Sequence, residues 1–91
     1  MKKIFKYEVL IQDYFSILLP KEYQILTVET QHEIPYIWVI VNTESEEKSV
    51  NFRLCGTGHP LGITLGINIY SYIGTFQLRD GNLIFHLFEL P

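Results

Sequence analysis

Cysteine is almost absent from this chain, Cys55 standing alone in 91 residues. A single thiol excludes an intramolecular disulfide and a multi-cysteine zinc site, so Cys55 is expected to be a buried, reduced side chain. Basic residues are also few. Seven Lys and Arg against ten Asp and Glu give a formal charge of -3, leaving no basic field to displace counterions from a phosphate backbone. Duplex DNA or RNA is therefore not an expected partner. Apolar runs such as Ile34 to Val41 reach about eight residues, far short of the ~20 that cross a bilayer as a helix. The Met1-Lys2-Lys3 start resembles that of a signal peptide, but Lys6 and Glu8 interrupt the apolar core such a peptide needs. A cytoplasmic location with no membrane contact is the expectation.

Charged residues make up only 19% and hydrophobic residues 47%, a balance opposite to that of disordered chains. The length fits one domain over residues 1–91. A domain this small buries only roughly 60–65% of the surface that its unfolded chain exposes, so the apolar excess points to self-association or a binding surface. A homo-oligomer is expected, with its contacts in the Tyr36 to Val41 segment, the stretch from Leu61 to Ile69 and the closing hairpin.

Hydrophobic periodicity is two almost throughout, which indicates strands. The first covers residues 3 to 10, where Phe5, Tyr7 and Val9 alternate with Lys6 and Glu8. A second runs from Tyr14 to Leu19 and stops at Pro20, and a third, less cleanly alternating, from Tyr23 to Thr30. His32 and Glu33 mark a turn. Ile34-Pro35 breaks the run before Tyr36 to Val41, which is apolar on both faces and is expected to be a central strand. Asn42 to Ser49 reads as an exposed hairpin loop, followed by a strand around Val50, Phe52 and Leu54. Tyr70 to Leu78 and Leu83 to Leu90 are joined by Arg79-Asp80-Gly81-Asn82, a hairpin signal because Asp-Gly supplies positive φ. Gly74 within the first of these strands marks a bulge or a close backbone approach. No helix of ten or more residues is visible. About seven short strands fit an all-β fold, a small antiparallel sandwich or partly open barrel.

Four of the six glycines lie between Cys55 and Tyr70. Within this stretch Gly56-Thr57-Gly58-His59 has the composition of a loop that cradles an anion, since glycines free backbone N–H groups to converge and a threonine hydroxyl adds a donor. It lacks the lysine and helix of a P-loop, and a structural turn is the competing reading. Part of this segment is expected to fold over the sheet or against another chain. His32, His59 and His86 are 27 residues apart at each step, so no local ligand pair supports a metal site. His86 reads as a hydrogen-bonded histidine on a polar or interface face. A Cys55–His59 nucleophile and base would lack an orienting third group. Carboxylates such as Glu44, Glu46 and Glu47 form a solvated surface and not an acid–base pair. The aromatics, including Tyr36, Trp38, Tyr70, Tyr72, Phe76, Phe85 and Phe88, exceed what a core of this size needs. They read either as a subunit interface or as stacking surfaces for a planar ligand, with Arg53 or Gln77 supplying polar contacts.

Five segments together carry a resemblance: Ile4 to Tyr7, Pro35-x-x-Trp38, Gly56 to Pro60, Tyr72 to Gln77, and Gly81-x-Leu83-x-Phe85-His86-x-Phe88-Glu89. With them the chain resembles a family of small proteins encoded by bacteriophages and prophages. By size and genomic context, that resemblance implies an anti-defence protein that sequesters a nucleotide-derived immune signal of the host. The ligand would be a cyclic nucleotide or an ADP-ribose-derived cyclic nucleotide. Thr57, Gly58 and His59 would contact phosphate, Arg53 would neutralise charge, and Trp38 or Tyr72 would stack on a base. No catalysis, cofactor or metal is expected. The alternative is a phage accessory protein acting through protein–protein contacts; a phosphodiesterase using His59 ranks third.

Overall fold

An extended strand sends every second side chain to the same face, and the alternation in this sequence sorts each strand into a core side and an outer side. The computed structural model describes residues 1–61 and 72–91. Among them are seven strands and no helix: β1 (Lys2–Glu8), β2 (Tyr14–Pro20), β3 (Tyr23–Gln31), β4 (Ile34–Asn42), β5 (Glu47–Gly56), β6 (Tyr72–Leu78) and β7 (Leu83–Glu89). All pairings are antiparallel. One sheet has the order β1-β4-β3 and the other β2-β5-β7-β6. The two pack into a sandwich that does not close into a barrel.

β4 is central in its sheet, as its two apolar faces require. Pro35, Ile37, Val39 and Val41 are buried, while Tyr36, Trp38 and Ile40 are half-buried on the outer face. The core joins Val28, Ile37, Val39 and Val41 to Phe15, Leu19, Val50, Phe52, Leu54, Phe76 and Leu87 of the other sheet. The rings of Phe15 and Phe52 stack at 5.4 Å. Burying each of these larger side chains contributes about 1.5–3 kcal/mol. Much of the apolar excess is therefore absorbed inside. Of the segments expected to make a subunit interface, Tyr36 to Val41 gives alternate residues to the core, and the closing hairpin gives Phe76 and Leu87. Leu61 is exposed, and the rest of the stretch to Ile69 lies outside the described residues.

Hydrogen-bond phase explains where Pro20 sits. Leu54 N–H donates to the Asp13 carbonyl (3.0 Å) and Lys21 N–H to that of Glu46 (2.7 Å). In the β2–β5 register this phase makes Phe15, Ile17 and Leu19 the residues whose backbone groups point at β5. Ser16, Leu18 and Pro20 point the other way. Pro20 thus ends β2 from within the strand, because the N–H it lacks has no role in the ladder. Pro35 lies inside β4 for a different reason: it stands opposite Thr30 with its backbone directed at β1, where its carbonyl accepts from Val9 N–H at 2.9 Å, and the N–H it lacks falls just past the end of β1 at Glu8. The expected break there is absent. The loop expected from Asn42 to Ser49 shortens to residues 43–46, since Glu47, Lys48 and Ser49 pair with Pro20, Leu19 and Leu18. Their polarity reflects exposure at a strand end, not a turn.

β3 turns tightly into β4 through His32 and Glu33, both left-handed with φ of 53° and 64°, a two-residue connection between paired Gln31 and Ile34. Between β6 and β7, Arg79, Asp80 and Gly81 all have positive φ, and Asn82 N–H donates back to the Arg79 carbonyl at 3.0 Å. The two hairpin tips are tied by Arg79 N–H donating to Glu33 Oε1 at 2.6 Å. Below them β3 packs against β6. A register shift between Ile25 and Thr27 accounts for the imperfect alternation of β3, and another lies between Tyr72 and Gly74. At Gly74 a Cβ would stand 2.8 Å from Val28 Cγ1, so glycine is what permits the strands to approach. The Tyr23 hydroxyl, from β3, donates to the Glu89 carboxylate on β7.

Gly74→Ala is expected to destabilise the fold by ~1–3 kcal/mol, because Val28 is buried and β-branched and cannot swing aside. Urea denaturation measures this, and a neutral result would show that the β3–β6 contact is compliant. Burial, then the hydrogen bond to Glu89 and its negative charge, push the Tyr23 hydroxyl up from 10.0 to about 12. The unfolded chain ionises first, so this contribution is complete below pH 10 and is lost as the pH rises towards about 12. Tyr23→Phe is expected to lower stability at neutral pH by ~0.5–1.5 kcal/mol. It should also flatten the alkaline decline, leaving the part due to Tyr7, which burial and Glu47 also raise. Unfolding curves at pH 8 and pH 11 test this; an unaltered difference between them would remove Tyr23 as its source.

Candidate functional site

β5 carries four consecutive buried residues, Phe52 to Cys55. Phe52 and Leu54 face the core, so Arg53 and Cys55 are buried on the outer face of their sheet. What covers them includes the start of the glycine-rich segment. The described part of that segment, residues 57–61, folds back over the sheet as the sequence indicates. Cys55 Sγ lies 3.5 Å from the Gly56 carbonyl and 3.6 Å from that of His59. Cysteine and His59 therefore meet through a backbone oxygen. The His59 ring turns back over Gly56, whose absent Cβ would lie 2.8 Å from His59 Nδ1.

Arg53 is only 7% exposed and is held by the chain itself. Nη1 donates to the carbonyls of Leu54 (2.5 Å) and Asp13 (3.3 Å), and Nη2 to that of Leu61 (3.4 Å). The guanidinium carbon sits 4.9 Å from the centroid of the Tyr14 ring. Among the described residues, the carboxylate close to it is that of Asp13, at 3.7 Å. Nε has no partner among the described residues. The guanidinium thus pins the start of β2 and the end of the 57–61 loop to one spot.

Beside this strut a chain of polar groups runs from the residue after β5 across the middle of β7 and β6. His86 pairs with Cys55 on one side and Thr75 on the other. Its Nε2 lies 2.6 Å from Thr57 Oγ1 and its Nδ1 2.9 Å from Thr75 Oγ1. Thr75 is bonded in turn to the Tyr72 hydroxyl. In the neutral ring one nitrogen donates and the other accepts, so the four groups form a continuous hydrogen-bonded relay. The Tyr72 ring packs at 5.5 Å on Phe88 and remains 45% exposed. Next to Thr57 a groove of about 250 Å³ is lined by Gly56, Thr57, His59, Asn82, Ile84 and Phe85. On the other side of Tyr72 lies a cleft of about 460 Å³ between the sheets, bordered by Tyr23, Ile25, Ile73 and Glu89.

The structure therefore links Thr57 to Tyr72 through His86 and Thr75 and places His59 with Thr57 on the groove, with Gly58 between them in the loop, while Arg53 is engaged with Asp13, Leu54 and Leu61. Gly58 has a φ of 83° with open space around it, so the loop conformation there favours glycine. Trp38 is not among them. Its cross-strand partners are Lys6 and Thr27, which places it on the outer face of the opposite sheet, beside Tyr36 and under the Lys6 ammonium. Within one chain it cannot share a ligand with His59. His86 and Thr75 are the additions. Their strand positions are legible, but their meeting with Thr57 depends on a register between distant strands.

A family model for a domain of unknown function, DUF7352, matches residues 1–91. The chain belongs to the DUF7352 family. No curated protein and no solved structure matches it. For this DUF7352 chain the chemistry thus has to be argued from the corner itself. It offers hydroxyls, two imidazoles and an aromatic face, with its one guanidinium already engaged.

Arg53→Lys is expected to lower stability by ~1–3 kcal/mol, since one ammonium cannot reproduce the fork that reaches three carbonyls. Thermal melting reports it. A variant as stable as the parent would mean that the strut is dispensable and the guanidinium free for another role.

Proposed function

We propose that this protein is a non-catalytic binding module encoded by a phage, acting in the host cytoplasm to sequester a nucleotide-derived immune signal. The reading rests on one observation above the others: Thr57, His86, Thr75 and Tyr72 form a hydrogen-bonded relay that opens onto the groove beside His59. Hydroxyl and imidazole groups can donate to a phosphate without a full positive charge, and the exposed Tyr72 ring gives a base a surface to stack on. The groove is smaller than the ~300–1,000 Å³ of sites that enclose a drug-sized ligand. It would take a phosphate or ribose, with the base lying outward towards Tyr72. Arg53 would shape the floor of the site, and its charge would act at a distance.

The test is a thermal-shift screen against cyclic dinucleotides, cyclic trinucleotides and ADP-ribose-derived cyclic nucleotides. A ligand at a hundred times its Kd stabilises by about 2.7 kcal/mol, a shift of several degrees for a domain of this size. Thr57→Val and His59→Ala are expected to weaken binding about tenfold or more, the loss of a charge-assisted hydrogen bond. Ligand recovered unchanged after denaturation distinguishes sequestration from turnover, and no shift with any compound ends the proposal. A second reading, an accessory protein working through protein contacts, is favoured by the exposed Ile4, Leu10, Ile11 and Leu18. It requires a defined partner to co-purify from infected cells in stoichiometric amount, and fails without one.

A further inference from the structure

The outer face of the three-stranded sheet carries a pair of aromatic rings with a cation already on it. Period-two alternation along β4 sends Tyr36 and Trp38 to that face, where both are half-buried. Their centroids stand 6.3 Å apart and their planes meet at 62°, so two π faces are presented at an angle. The Lys6 ammonium, from β1, lies 4.5 Å from the Tyr36 centroid and 5.7 Å from that of Trp38. It donates to Gln31 Oε1 on β3, so the side chain crosses β4 from one neighbouring strand to the other. Glu8 and Glu29 are the cross-strand partners of Tyr36 on its two sides. Both are exposed, and neither forms an ion pair among the described residues. The ammonium therefore rests on rings and an amide although two carboxylates share its face.

We propose that the Tyr36–Trp38 pair is a binding site for a methylated ammonium group, with Lys6 as its displaceable resident. Ring quadrupoles attract cations, and quaternary ammonium groups are the ligands that paired aromatic faces commonly recognise. Methylation removes the N–H donors, so a trimethylammonium group gains nothing from Gln31 and takes the ring faces. Lys6, with three donors, has another partner at hand. Glu8 lies two residues along the same face of β1, and for exposed groups an ion pair and a cation–π contact are of similar size. Exchanging one for the other costs Lys6 little. Together Lys6, Glu8 and Glu29 carry one positive and two negative charges, so a second cation completes the balance, whereas a phosphate would meet two carboxylates beside Tyr36. The ligand class is a trimethylammonium group on an alkyl stem, which free choline and a trimethylated lysine side chain share. The pair lies on the sheet opposite the groove at Thr57, and this site is independent of the proposed function.

Trp38 is the one tryptophan of the chain, so its fluorescence reports on the site. Titration of the full chain with tetramethylammonium chloride is expected to give a saturable change that sodium chloride at equal ionic strength does not. Lys6→Ala should keep the response and tighten it about fivefold, the effect of removing a competitor held by an exposed cation–π contact. Glu29→Gln should weaken it about twofold, and Tyr36→Leu should abolish it. If Tyr36→Leu does not fold, magnetic resonance of the parent decides: shifts on titration centred on the Trp38 indole and the Lys6 side chain support the site, and shifts elsewhere alone overturn it. Choline and Nε-trimethyllysine amide then separate the two sources, the tighter binder assigning a free small molecule or a protein side chain. An equal response to sodium and tetramethylammonium, or weaker binding by Lys6→Ala than by the parent, overturns the proposal.

Discussion

The seam between β3 and β6 is the constraint on which this sandwich depends. A three-stranded and a four-stranded sheet cannot be matched edge for edge, and here they meet closely along one side. That approach is permitted by Gly74 against Val28, held by Tyr23 and Glu89, and tied at the tips by Glu33 and Arg79. Because β3 and β6 are end strands of their sheets, pinning them together leaves β1 and β2 as the opposite end strands among the described residues. The positions of these two end strands thus follow from a contact on the opposite flank.

The same architecture explains why a buried arginine lies on the outside of a sheet. An outer face near the middle of four strands is broad and flat, and covering it requires a segment of chain to cross it. Crossing chain brings backbone carbonyls with it, and these need donors. Arg53 answers that need with a planar fork reaching Asp13, Leu54 and Leu61, which fixes the loop that presents Thr57 and His59. The polar relay on the neighbouring strands is therefore positioned by a group that does not belong to it.

Most of the fold was legible because period-two alternation is a local property. Strand number, the centrality of β4 and the hairpin at Asp80-Gly81 all follow from short windows of sequence. The boundaries at Pro20, Pro35 and Glu47 depart from the sequence expectation for one reason: whether proline or a polar residue fits a strand depends on the phase and the extent of the neighbour it pairs with, and that neighbour is distant in sequence. The candidate site was legible in its loop and in Tyr72, since glycine density and exposed aromatics are visible one residue at a time. Trp38 was grouped with them because sequence does not say which sheet a strand joins. His86 and Thr75 escaped notice as partners of Thr57 for the complementary reason.

The connectivity also bears on how the chain reaches this state. Among the described residues, only β3–β4 and β6–β7 are pairings between neighbours joined by short turns; β1 must find β4, β2 must find β5, and β5 must find β7 across long intervening stretches. Loop closure has to precede those contacts, which places the topology among domains that fold on the order of milliseconds to seconds. Hairpins form in about microseconds. The bond from the Arg79 N–H to the Glu33 carboxylate ties the tips of the two local hairpins, so the elements that need the least loop closure are also the ones that meet at the seam.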